Sequence, residues 1–94
     1  MFDMPMTQHA ARRLQQRGIP EDVLPLLMQF GAHEYDKRGA RLVYLTQRSR
    51  ERLRKALGPE RYGRLTPALD VYAVVDSNGL VVTVGHRTHR INRN

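Results

Sequence analysis

The residues of this chain best suited to chemistry are a histidine and two arginines set at helical spacing near the start. His9, Arg13 and Arg17 stand at i, i+4 and i+8, so on a helix they fall along one stripe that drifts about 40° per step. An imidazole can take or give a proton near neutral pH, and a guanidinium can stabilise charge on a phosphorane-like transition state. Together they suit phosphodiester cleavage without a metal. The same spacing also suits an ordinary amphipathic helix with His9 near its N-terminus and the arginines in solvent.

A second group is His86-Arg87-Thr88-His89. A His-x-x-His pair can hold a metal, but metal sites need three or four convergent ligands and no acidic residue is near in sequence. No metal and no other cofactor is expected. His86 with Arg87 could supply acid/base and phosphate contacts at a strand end, or the segment is a solvated basic tail. Tyr44 and Tyr72 could stack bases or donate protons, or sit half-buried in a sheet. Ser49 and Ser77 have no triad context, the carboxylates show no paired glycosidase spacing, and no glycine-rich nucleotide loop is present.

The charge balance points the same way as these groups. Sixteen basic residues face nine acidic ones, for a net charge of +7, and all the basic residues except Lys37 and Lys55 are arginine. A guanidinium fork matches phosphate oxygens bidentately and stacks on bases, whereas an ammonium is a point charge. A GC-rich genome would also raise arginine over lysine, though it accounts less well for the excess charge. Residues 48–64 are the most basic block, with Arg48, Arg50, Arg52, Arg54, Lys55, Arg61 and Arg64 against Glu51 and Glu60. The expected nucleic-acid contacts are Arg48, Arg52, Arg54, Arg61, Arg87 and Arg90, in binding that is salt-sensitive and largely blind to sequence.

The elements that must position these groups read as one α+β domain over residues 1–94, with a basic tail from about residue 87. Thr7 caps a first helix over 8–17, and Gly18 ends it with Ile19 anchoring the turn. Pro20-Glu21-Asp22 opens a second helix, which Pro25 forces to start late or kink and which Gly31 stops. The pair reads as a helical hairpin packed on an antiparallel sheet. Strands are expected at 34–36 and 41–46. A basic helix with Leu53 and Leu57 on one face follows, inserted between strands and closed by Gly58-Pro59, and 60–69 reads as a turn of helix plus a loop.

The last hairpin is the clearest local reading. Residues 70–76 and 80–86 flank Ser77-Asn78-Gly79, and Asn-Gly predicts a type I′ turn. That turn sets Val75 opposite Val82, Ala73 opposite Val84 and Val71 opposite His86 on an apolar face. Val74 with Thr83, Tyr72 with Gly85 and Asp70 with Arg87 share an open face. The absence of cysteine rules out disulfides, thiolate metal sites and a cysteine nucleophile. No stretch is apolar enough to span a bilayer and the start lacks a signal-peptide pattern, so a cytoplasmic protein with no membrane partner is expected.

The run His9-x3-Arg13-x3-Arg17-Gly18-Ile19, followed by Val23, Leu27 and Gly31, and the closing Val74-Val75-Asp76-x-x-Gly79-Leu80-Val81-Val82-Thr83-Val84 resemble a family of small bacterial proteins filed as a domain of unknown function, related to the RelE-like and BrnT-like toxins. The resemblance covers residues 7–38 and 70–87. It implies two N-terminal helices on an antiparallel sheet, metal-independent cleavage of mRNA or tRNA, and neutralisation by an antitoxin. His9, Arg13, Arg17 and Thr83 match the family's signature positions. The basic insertion at 47–66 is longer than the family pattern.

Three functions follow as expectations. One is a toxin-type endoribonuclease in which His9 or His86 is the acid/base and Arg13, Arg17 and Arg87 hold phosphate; it requires these groups to converge across the open sheet face. Another is a non-catalytic nucleic-acid-binding module that uses the arginines from Arg48 to Arg64 and the tail, on RNA or DNA. The third is an interaction domain for an acidic protein partner, such as an antitoxin.

Overall fold

The computed structural model describes residues 4–87. Among these the chain is α+β, running α1 (Gln8–Gln16), α2 (Val23–Phe30), β1 (Ala32–Tyr35), β2 (Arg41–Tyr44), α3 (Gln47–Leu57), α4 (Pro59–Leu65), a 3₁₀ turn (Thr66–Ala68), β3 (Val71–Val75) and β4 (Val81–His86). The strands form one antiparallel sheet in chain order, with α3 and α4 inserted between β2 and β3. No helix among the described residues is long and apolar enough to cross a membrane.

Local chemistry sets the helix ends. The Thr7 hydroxyl accepts from the Ala10 amide at 3.0 Å, satisfying a donor the first turn leaves free. At the other end Gly18 donates to Gln15 and Ile19 to Leu14, a Schellman closure that brings buried Ile19 back against buried Leu14. Helix α2 starts at Val23 with Asp22 as N-cap. Pro25 therefore falls in the first turn, where the missing N–H has no intrahelical partner to lose.

The two N-terminal helices do not pack chiefly on each other, as a tight helical hairpin would. Helix α1 lies against β4, while α2 lies against α3 and β2. Ala10 and Leu14 of α1, Leu24 and Leu27 of α2 and Leu53 of α3 join Val43, Ala73 and Val84 of the sheet in one buried core. Gly31 allows α2 to end hard against the sheet: a Cβ there would stand 2.5 Å from the Leu27 carbonyl oxygen and 2.9 Å from that of Tyr44.

The final hairpin departs from the expected turn. A type I′ turn needs positive φ at both central residues, and only Gly79 has it, at 84°. The loop is instead Ser77-Asn78-Gly79 closed between Asp76 and Leu80, with the Asp76 carboxylate accepting from the amides of Asn78 and Leu80. The β1–β2 loop repeats this plan, with Gly39 at φ 91° and Asp36 accepting from the amides of Arg38 and Ala40. The longer loop shifts the register at its mouth: Val75 pairs with Val81 rather than Val82, and a bulge restores the expected pairs from Val74–Thr83 to Val71–His86. The segment before α1 adds a further contact, pairing Met6 in parallel with Val81 along the outer side of β4.

Candidate nucleic-acid interface

His86 closes β4 and turns toward the helices, because its register partner Val71 is buried on that face. Its Nδ1 stands 2.9 Å from Asp70 Oδ1 and its Nε2 stands 3.1 Å from the Arg17 carbonyl oxygen. Both partners only accept, so the ring satisfies both only as imidazolium. The Asp70 hydrogen bond, followed by that to Arg17, raises the His86 pKa above its ordinary value. When protonated, the ring also meets the C-terminal end of α1, where the helix dipole favours a cation. His86 thus clasps α1 to the sheet.

The proposed catalytic set is only partly brought together. Arg17 and His86 meet, but through the Arg17 backbone rather than its guanidinium. His9 is exposed in the first turn of α1, about 12 Å along the helix axis from Arg17 at 1.5 Å per residue. Arg13 is half-buried, and its Nε has no hydrogen-bond partner. Because α1 runs from the Met6–Val81 bridge at the start of β4 to His86 at its end, His9 and His86 lie at opposite ends of the helix on the covered side of the sheet. The expected convergence across the open face does not occur.

The basic block divides around α3. Leu53 is buried, and the hundred-degree helical step places Arg48 and Arg52 on one flank and Arg50 and Arg54 on the other. Arg52 lies 6.0 Å from the centroid of the Phe30 ring of α2. Arg50 donates to the Leu69 carbonyl at 3.0 Å. With Arg54, Gln47, Glu51 and Tyr62 of α4 it lines an open cleft of about 480 Å³. Arg48, Arg52, Arg54, Lys55, Arg61 and Arg64 are exposed. Among the described residues no arginine or lysine lies within 4.0 Å of a carboxylate oxygen, and the one acid–base contact is His86–Asp70.

On the opposite side of the sheet, Arg87 places its guanidinium carbon 4.1 Å from the centroid of the Tyr44 ring. The Tyr44 hydroxyl donates to Glu34. That bond, then burial, then the Glu34 charge raise the Tyr44 pKa, while Arg87 acts to lower it. Glu34 escaped sequence reasoning. The signal was the Asp36-x-x-Gly39 loop, which fixes Glu34 opposite Leu42 and hence on the face of Tyr44. Arg90 and His89 lie outside the described residues. No family model, curated protein or solved structure matches the chain.

Proposed function

We propose that this protein binds RNA through the guanidiniums of α3 and α4, gripping the phosphate backbone with little regard to sequence. One observation carries the reading: exposed Arg48, Arg52, Arg54 and Arg61 have no carboxylate within ion-pair distance among the described residues. Unpaired cations on neighbouring helices, though spread over both flanks of α3, keep their attraction for a polyanion and release its counterions on binding. Cleavage by His9, Arg13, Arg17 and His86 has less support, because His9 stands apart and both His86 nitrogens are engaged. An acidic protein partner would meet the same basic surface and compete with RNA for it.

The test is the triple variant Arg48→Gln/Arg52→Gln/Arg54→Gln with a short single-stranded RNA at low salt and with EDTA. The variant should bind more weakly for every sequence tried, with its salt slope lowered by about 0.7 for each phosphate contact removed. The RNA should stay intact with either protein. Equal affinity of wild type and variant would defeat the assignment, and cleavage lost in His9→Ala would move it to the endoribonuclease reading.

A further inference from the structure

The sheet face turned away from α1 carries groups that the phosphate contacts of α3 and α4 do not use. Tyr44 and Tyr72 are direct cross-strand neighbours there, and Tyr72 opposes Gly85 on β4. A Cβ at Gly85 would stand 2.9 Å from the Tyr72 hydroxyl oxygen and 3.0 Å from two of its ring carbons. The Tyr72 ring therefore lies over the β4 backbone in space that only glycine leaves. Beside it the Arg87 guanidinium rests over the Tyr44 ring, close enough for cation–π attraction.

Tyrosine rings and guanidinium planes are surfaces on which unpaired bases stack. Arg87 has no carboxylate partner among the described residues, so its charge remains available to a nucleotide. Glu34 narrows the occupant further. Its carboxylate repels a phosphate over this part of the face, yet it has acceptor capacity beyond the Tyr44 bond for the N–H groups of a base edge. Position supplies the last argument: β2 ends at Tyr44 and α3, on the covered side, is capped by Thr46, so an RNA strand passing over this end of the sheet reaches the root of the arginine-bearing helix.

We propose that the open sheet face is a stacking site for an unpaired base of single-stranded RNA, with the base on Arg87 and Tyr72, Tyr44 supporting Arg87, and the adjoining phosphates held by α3. The inference rests on the RNA-binding reading above and adds that bases, as well as phosphates, are gripped.

The experiment compares wild type, Tyr72→Leu and Arg87→Gln on a labelled single strand of about 12 nucleotides and on the same strand with abasic interior positions, which keeps every phosphate. Circular dichroism checks that each variant is folded. Wild type should bind the abasic strand about ten-fold more weakly than the intact one. Tyr72→Leu should weaken binding to the intact strand by a similar factor and leave the abasic strand unaffected, while Arg87→Gln should weaken the intact strand more than the abasic one. Equal wild-type affinity for the two strands overturns the stacking site while leaving phosphate binding in place. No binding of either strand at low salt overturns both.

Discussion

The His86 Nε2 lies 3.1 Å from the Arg17 carbonyl oxygen, so the end of the last strand is fastened to the end of the first helix. Asp70 holds the other ring nitrogen, and the His86 pKa is raised. A group that binds its proton more tightly when folded stabilises the fold fully below its unfolded pKa, near 6.5, and that contribution is lost as pH rises through the higher folded value. His86→Gln should therefore destabilise the protein more at about pH 5.5 than at about pH 9, by roughly 1 kcal/mol after allowing for solvent screening. Urea unfolding at the two pH values checks it, and a gap that widens toward alkaline pH would count against the imidazolium clasp.

Gly31 and Gly63 should respond to alanine in opposite directions. A Cβ at Gly31 meets two carbonyl oxygens, at 2.5 and 2.9 Å, whereas a Cβ at Gly63 meets nothing within 4 Å. Gly31→Ala must push α2 away from β2 and should cost about 2 kcal/mol. Gly63 lies inside α4, so Gly63→Ala should stabilise by about 0.5–1 kcal/mol through helix propensity. Thermal melts of the two variants decide the matter. A neutral Gly31→Ala would mean that α2 and β2 do not approach this closely.

The two aspartate-closed loops offer a matched pair. Asp36 and Asp76 each accept from two loop amides, so Asp36→Ala and Asp76→Ala should each lower unfolding stability by about 1–2 kcal/mol. Asn at either position keeps an acceptor oxygen and should recover most of the loss. Failure of Asn to rescue would show that the carboxylate charge, rather than its loop hydrogen bonds, is what matters.

Tyr44 should ionise at higher pH than an ordinary tyrosine, because phenolate formation would break its bond to Glu34 and set two negative charges side by side. A phenolate absorbance titration of wild type should show one late-titrating tyrosine, and Glu34→Gln should bring that group back toward 10.0. A titration unchanged by Glu34→Gln would break the link between these two residues.

Much of the fold was legible because its signals are local. Thr7, Gly18 and Gly31 mark helix ends through bonds that span only a few residues, and counting outward from an Asn78-Gly79 turn still reaches the pairs from Val74–Thr83 to Val71–His86, because the bulge beside Val75 offsets the longer loop. The turn type was not legible. Asn78-Gly79 favours type I′, but the Asp76 carboxylate draws the loop into a longer form that needs positive φ only at glycine. The site was harder still. The register that set His86 opposite Val71 already placed it on the covered face, which excludes the open-face convergence with His9. That His86 meets Arg17, 69 residues away, depends on how α1 lies along β4, and no local pattern encodes it.

The salt dependence of wild-type affinity for single-stranded RNA tests the central claim most directly. If Arg48, Arg52, Arg54 and Arg61 each neutralise a phosphate, the logarithm of the association constant should fall against the logarithm of salt concentration with a slope of about −3. A slope near zero, or no association at low salt, would contradict the assignment of the α3–α4 arginines to a phosphate backbone.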